Sequence, residues 1–160
     1  MNPLNYTRLL LSTAAFVLAL TLTSCQNTGT DATEPDALAS FDLLQQKVLT
    51  PSCATSGCHA SGQDPSFAQH GLVLASGVAY QNTVGVDPKN SAAKADGLKR
   101  VKAFASLESL LFHKLTVVAS HHSGKQYGNP MPLGGLSLSD GQIEFVRRWI
   151  EAGAPKTGSV

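Results

Sequence analysis

A predominantly apolar run opens the chain. It extends from Leu9 to Leu22 and follows the single positive charge of Arg8. A helix needs roughly 20 apolar residues to cross a membrane, and this shorter run stands where a secretory signal stands. The pattern therefore predicts a cleaved signal peptide over residues 1–24 and an exported protein.

The residues around Cys25 extend this prediction. The segment from Leu22 to Cys25, LTSC, resembles a bacterial lipobox, so we expect lipidation of Cys25. The polar residues that follow include no large apolar side chain, which predicts a flexible tether over 25–36. Gln26 after the cysteine favours the outer membrane in enteric-type sorting. We expect the domain on the periplasmic side of a bacterial membrane, anchored by the lipid.

Helical periodicity begins after the tether. Apolar residues recur three or four positions apart at Leu38, Phe41, Leu44 and Val48. This spacing predicts an amphipathic helix with Asp36 as its N-cap. Pro51 is expected to end this helix just before Cys53, because proline interrupts a helix interior.

Two further helices are predicted downstream. One covers residues 99–118, where one apolar stripe comprises Val101, Phe104, Leu107, Leu111 and Leu115. The other follows Ser139 and Gln142, which have capping-box spacing, and it ends at Gly153 and Pro155. Its apolar face comprises Ile143, Phe145, Val146, Trp149 and Ile150.

The remaining segments lack a clear period. Residues 75–82 favour a short helix, whereas Gly, Pro and polar residues predict loops at 62–71, 87–97 and 120–135. Strong alternation of the kind that marks strands is absent from the sequence. The predicted fold class is therefore all-α with long loops, in a domain over 37–155 that is followed by a tail over 156–160.

Charge and cysteine content narrow the function. Arg8 is the only charge before Cys25, so the remaining chain is electrically balanced and gives no reason to expect nucleic acid as a partner. Beyond Cys25 the sequence has one cysteine pair, Cys53 and Cys58. An exported pair is expected to form a disulfide, to bind a metal or to hold a covalent cofactor.

The stretch CATSGCH, residues 53–59, carries the candidate chemistry. A c-type haem needs two thiols for its vinyl groups and a histidine directly after the second thiol, and Cys58 and His59 have this adjacency. Four residues separate the cysteines, all of them small, so a bulged loop is sterically possible. The stretch therefore suits covalent haem attachment.

A sixth iron ligand is expected from the other side of the ring. Methionine is a common partner of histidine in electron-transfer haems and raises their potential. Met131 is the only methionine besides Met1, and it lies between Pro130 and Pro132 in a Gly-rich loop. Flanking prolines restrict the backbone, which suits the presentation of a weak ligand at a fixed distance.

The order of these motifs resembles a known family. The motifs are TPSCATSGCH (50–59), GLVLASGVAYQNTVGV (71–86), SLLFHKL (109–115), MPLGG and WIEAGAP. Over about residues 38–155 they are similar to a class I-like monohaem cytochrome c domain of exported bacterial lipoproteins, in a variant with a long CxxxxCH loop.

The resemblance implies one covalent haem c and a role as a single-electron carrier rather than an enzyme. It places thioethers at Cys53 and Cys58 and axial iron ligands at His59 and Met131. Such a carrier would exchange electrons with a redox partner protein. The resemblance also implies a crossing of the first and last helices, with contacts among Phe41, Leu44, Phe145 and Trp149.

Other interpretations of the pair stay open. A Cys53–Cys58 disulfide would make the protein a cofactor-free binding or structural lipoprotein. Zinc or copper could use Cys53, Cys58 and His59, with a further ligand from His113, His121 or His122. His121 or His122 could also replace Met131 on a haem iron.

Several charged or titratable residues have no part in these schemes. His70 lies in a polar segment and is expected to be solvated. His113 is expected at the surface or at a haem edge. Lys99, Arg100 and Lys102 form a small basic cluster that is expected on a solvated helix face.

Overall fold

Helices dominate the computed structural model, which describes residues 40–116, 127–134 and 137–157. These residues belong to one unit, Thr33–Val160. Isolated β-bridges occur within the described ranges, but no strand is present there. The prediction of an all-α fold class is therefore confirmed for this part of the chain.

Some predicted features lie outside the described residues. They are the signal peptide, Cys25, the Asp36 cap, and His121 and His122. Of the helices within the described ranges, none has the length and apolar character needed to cross a membrane.

The first helix, α1, begins one residue after Ser40, whose hydroxyl accepts a hydrogen bond from Leu43 N. It consists of an α-helical turn at Phe41–Leu44, a π-helical turn at Gln45–Leu49 and a final turn at Thr50–Ser52. The N-cap of the described helix is thus Ser40, whereas Asp36 lies outside the described residues. The helix ends just before Cys53, as expected, one residue after Pro51.

The π-helical turn explains how α1 accommodates its proline. Pro51 has no N–H for the Lys47 carbonyl four residues earlier, and its ring crowds that carbonyl. Just before Pro51 the backbone hydrogen bonds change from an α-helical to a π-helical pattern, and Thr50 N donates to the Gln45 carbonyl five residues earlier. The Lys47 carbonyl accepts a hydrogen bond at 3.1 Å from Gln142 Nε2, in the last helix. The bond from Gln142 to Lys47 thereby joins the first and last helices next to Pro51.

Short helices fill the middle of the chain. They are α2 at Phe67–His70, α3 at Ala79–Thr83, α4 at Ser91–Ala95, a 3₁₀ turn at Ser106–Glu108 and α5 at Leu110–Leu115. The predicted short helix near 75–82 is confirmed as α3, with its bounds moved. The segments 62–71 and 87–97, predicted as loops, contain α2 and α4.

The predicted helix over 99–118 is wrong for most of its described length. Only α5 is α-helical, because side-chain bonds to the backbone compete with the helix before it. The buried Ser109 hydroxyl accepts from Lys102 N at 2.8 Å and donates to the Ala105 carbonyl at 2.8 Å. Phe104 has a left-handed φ of 65° and is 70% exposed, whereas Val101 and Leu115 are buried, so the expected stripe is not one continuous face.

The last helix, α6, covers Asp140–Glu151 and confirms its sequence prediction. Ser139 accepts from Gln142 N, and the Gln142 side chain accepts from Ser139 N, which completes a capping box. Gly153 follows the helix with φ 98°, as expected of a left-handed C-terminal residue.

The two terminal helices meet in the core. The rings of Phe41 and Trp149 lie 5.6 Å apart, which confirms one of the expected contacts of the crossing. Phe41 N and Trp149 Nε1 both donate to the Pro155 carbonyl, at 3.1 Å and 3.0 Å. The start of α1 is therefore fixed against the end of α6, and Cys53 follows at the other end of α1.

Candidate functional site

The two cysteines of CATSGCH occupy different environments. Cys53 N bonds to the Leu49 carbonyl at 2.9 Å, and its thiol is buried at the end of α1. Burial, with the nearby Cys58 as a smaller cause, raises the pKa of Cys53 to about 11. Cys58 is exposed. Both are free thiols in this structure.

Asp64 holds the loop between the cysteines and the residues that follow it. Its carboxylate accepts from Gly57 N at 2.9 Å and from Ser61 N at 2.7 Å. These amides, Ser61 first, lower the pKa of Asp64. The carboxylate therefore ties both sides of the Cys58–His59 pair into one closed turn.

His59 is half-buried and has a defined tautomer. Its Nδ1 lies 3.1 Å from the Leu72 carbonyl, and a carbonyl oxygen can only accept, so Nδ1 carries the proton. No described residue hydrogen-bonds to Nε2, which therefore keeps its lone pair. Burial lowers the pKa of His59, which favours this neutral form. A neutral imidazole with one nitrogen held by a carbonyl is the form that binds a metal through the other nitrogen.

The chain segment that contacts His59 is anchored to α1. Leu74 N donates to the His59 carbonyl at 2.7 Å. The buried Gln45 donates from Nε2 to the Leu74 carbonyl at 3.0 Å and to Thr50 Oγ1 at 3.0 Å. The Gln45 side chain thus connects the π-helical turn with the backbone that orients His59.

His70 contacts His59, contrary to the expectation of a solvated side chain. The two ring centroids are 4.1 Å apart. His70 Nδ1 accepts from Leu72 N at 2.9 Å, and Nε2 lies 3.0 Å from Ser66 Oγ. Burial, and next the neighbouring His59, lower the pKa of His70. This residue is part of the site, and the sequence analysis missed it.

Arg100 also differs from its prediction as part of a solvated basic face. The half-buried guanidinium donates to three carbonyls, those of Asn82 at 2.8 Å, His70 at 3.2 Å and Gly71 at 2.9 Å. Burial lowers its pKa. Its neighbours Lys99 and Lys102 do lie at the surface, where Lys99 pairs with Asp87 and Lys102 pairs with Glu108. Arg100 is therefore a structural cation beneath the segment that orients His59.

Met131 is held by α5. Its backbone N donates to the Lys114 carbonyl at 2.7 Å, and Lys114 Nζ donates to the carbonyls of Tyr127 and Asn129 at 2.6 Å and 2.9 Å. Met131 itself is half-buried. No described hydrogen bond joins it to the Cys58–His59 turn.

His113 is buried, contrary to the expectation of a surface residue, and its position relative to a haem edge stays a prediction. Its Nε2 donates to the Leu107 carbonyl at 2.8 Å, and its ring packs edge-on against Tyr127 at 5.2 Å. His113 therefore joins α5 to the loop that carries Met131. Within residues 40–116, 127–134 and 137–157, no three His, Cys, Asp or Glu side chains are grouped as a metal site requires.

Comparisons of the chain with models of protein families, with curated proteins and with solved structures give no match.

Proposed function

We propose that the protein is an electron carrier with one covalently attached c-type haem. The observation that carries this proposal is the bond from His59 Nδ1 to the Leu72 carbonyl. It leaves Nε2 of a neutral imidazole free next to the Cys58 thiol. A c-type haem requires this combination of a thiol and an adjacent histidine nitrogen. The proposal also rests on the resemblance of the motif order to class I-like monohaem cytochrome c domains.

The residues that would hold the haem are Cys53 and Cys58 through thioethers, and His59 and Met131 through iron. When bound, the haem supplies a centre that gains and loses one electron. The carbonyl of Leu72 holds the His59 ring in one orientation and increases its basicity as a ligand. The backbone bond to Lys114 and the flanking prolines fix Met131 in its loop.

We propose electron transfer rather than catalysis because both iron ligands would be retained. Because His59 and Met131 would both stay in place in either oxidation state, little rearrangement accompanies the gain or loss of an electron. With both axial positions filled, a substrate would find no open position on the iron. The surrounding turn is fixed by Asp64 and Gln45, which further limits movement of His59.

The cellular setting belongs to the same proposal. Lipidation of Cys25 and a tether to Asp36 would let the domain meet a redox partner protein at the periplasmic side of a bacterial membrane. By the sorting rule for Gln26, this membrane would be the outer membrane. Metabolic labelling with a fatty acid, compared between the natural chain and Cys25→Ser, tests the lipid anchor separately from the haem.

The test of the haem is a spectrum. The chain is produced with a c-type maturation system, and we expect a sharp Soret band and a c-type pyridine haemochrome. Cys53→Ser and Cys58→Ser are expected to shift the haemochrome, because each leaves one vinyl group unreacted. A Cys53→Ser spectrum equal to that of the natural chain would show that Cys58 alone is attached.

A colourless protein would overturn the proposal. If mass spectrometry of that protein showed an intact Cys53–Cys58 bond, the cofactor-free binding or structural lipoprotein would be the better interpretation. Stoichiometric zinc or copper in the purified protein would instead favour the metal-binding alternative.

A further inference from the structure

We propose that His70 is the positioning residue of this site: it holds the Cys58 carbonyl through Ser66 and the His59 side chain through Leu72, and it thereby fixes the His59 ring as an iron ligand. This inference rests on the proposed function for the identity of the iron. The geometry that supports it is independent of the haem and concerns three contacts of the His70 side chain.

The first contact acts on His59 through Leu72. Leu72 N donates to His70 Nδ1 at 2.9 Å, and the carbonyl of the same residue accepts from His59 Nδ1 at 3.1 Å. A rotation of Leu72 that broke one bond would disturb the other. His70 thus constrains the acceptor that determines which nitrogen of His59 carries the proton.

The second contact acts on Cys58 through Ser66. Because His70 Nδ1 accepts, its proton is on Nε2, which donates to Ser66 Oγ at 3.0 Å. The Ser66 hydroxyl lies 2.9 Å from the Cys58 carbonyl and 3.1 Å from the Gly57 carbonyl, both of which can accept its proton. Through Ser66, His70 therefore reaches the backbone carbonyls of Gly57 and Cys58.

The third contact is direct. The His70 ring lies against the His59 ring, with centroids 4.1 Å apart and planes inclined at 50°. His70 can confine the ring only if its own backbone is fixed, and Arg100 Nη2 provides this by donating to the carbonyls of His70 and Gly71. Gly71 has φ 59°, and this left-handed turn returns Leu72 towards His59.

The chemical consequence concerns ligand quality. Partners that orient a ligating histidine and fix its tautomer are worth roughly 10- to 100-fold in metal affinity or activity. A His59 ring without its positioning contacts would sample both tautomers, and only one of them presents a lone pair at Nε2. Loss of His70 should therefore change the tautomer distribution of His59 even in the haem-free chain.

The test uses variants that retain different parts of the His70 side chain. His70→Asn keeps an acceptor near the Nδ1 position for Leu72 N, whereas His70→Ala removes all three contacts. In ¹⁵N spectra of the haem-free full chain, the natural protein is expected to show His59 protonated at Nδ1 only. We expect His70→Ala to lose this single pattern and His70→Asn to retain most of it.

A control is His113→Ala, which removes a different and more deeply buried histidine and its bond to Leu107 but touches neither residue of the pair. It is expected to lower stability and leave the His59 pattern unchanged, which separates positioning from general destabilisation. Should His70→Ala fail to fold, Ser66→Ala removes only the second contact and is expected to release the Cys58 carbonyl. An unchanged His59 pattern in folded His70→Ala would overturn the inference.

The haem-loaded protein gives a second, separate readout. If haem attaches, His70→Ala is expected to broaden the low-spin ferric EPR signal, because the His59 ring would adopt several orientations. If no haem attaches even to the natural chain, the proposed function fails, while the ¹⁵N result still decides whether His70 positions His59.

Discussion

Gln142 at the beginning of α6 donates from Nε2 to the Lys47 carbonyl of α1, 95 positions earlier in the chain, at 3.1 Å. That carbonyl is the one for which Pro51 supplies no helical N–H. The same side chain accepts from Ser139 N through Oε1 at 3.0 Å. A single glutamine thus completes the cap of its own helix and compensates for a proline in another.

Substitutions of Gln142 are expected to separate these two tasks. Gln142→Glu keeps an acceptor for the Ser139 amide but cannot donate to the Lys47 carbonyl, whereas Gln142→Ala loses both bonds. We expect the free energy of unfolding to fall by about 1 kcal/mol for Glu and about 2 kcal/mol for Ala. Denaturant titration of the haem-free chain measures both values, and equal stability of the two variants would contradict the assignment of separate tasks.

Local sequence signals predicted the ends of the fold well. The capping box at Ser139 and the left-handed Gly153 depend on residues close in sequence, whereas the contact of Phe41 with Trp149 was expected from the family resemblance. The helix prediction for residues 99–109 was wrong because their apolar spacing is typical of a helix, while the Ser109 hydroxyl bonds to backbone groups that a helix would use. Such a side-chain hydrogen bond produces no periodic pattern in the sequence.

The candidate site was predictable only in part. Adjacency of Cys58 and His59 is visible in the sequence, but the Leu72 carbonyl and the His70 ring reach His59 across a chain reversal. Gly71 was the available signal, because glycine is favoured where φ is positive after a short helix. Nothing in the sequence indicated that Arg100 is half-buried, since a basic residue close to two lysines usually lies at the surface.

The two thiols are expected to react at very different rates in the haem-free, reduced chain. With a pKa of about 11, buried Cys53 is thiolate in only about 0.1% of molecules at pH 8. Exposed Cys58 is accessible to iodoacetamide, so it should be alkylated first, with Cys53 reacting only on unfolding. Peptide mass spectrometry of a Cys25→Ser chain checks this order, and simultaneous alkylation would show that the end of α1 is open.

Gly71 is expected to tolerate few side chains. At φ 59° an alanine is strained by about 1 kcal/mol, and an added Cβ would lie 2.8 Å from Lys89 Cε. Lys89 is flexible and can move, so the backbone conformation should account for most of the cost. Gly71→Asn should then be less destabilising than Gly71→Ala, because asparagine adopts this conformation more readily.

Two measurements check this explanation. Denaturant titration of Gly71→Ala with and without Lys89→Ala should give nearly the same loss of stability. A full recovery in the double variant would instead assign the cost to the Lys89 contact.

Trp149 is expected to be the most sensitive position in the core. It is fully buried, and its indole N–H donates to the Pro155 carbonyl. Trp149→Phe should cost about 2 kcal/mol through lost volume and one lost hydrogen bond, and Trp149→Ala about 3–5 kcal/mol. Thermal unfolding followed by circular dichroism measures both. Phe104→Ala is the control, because that ring is 70% exposed, and a comparable loss there would contradict the assignment of the core.

Met131→Ala is expected to remove the weak near-infrared sulfur-to-iron band of the oxidised haem protein and to lower its reduction potential. Met131→Leu is the matched control, because it keeps the side-chain volume but supplies no sulfur. Both variants should retain the backbone bond to Lys114 and the covalent haem, so the change reports ligation alone. Since Met1 is the only other methionine in the sequence, persistence of the band would overturn the assignment of Met131. A natural protein that is low-spin but lacks the band would instead favour His121 or His122 as the sixth ligand.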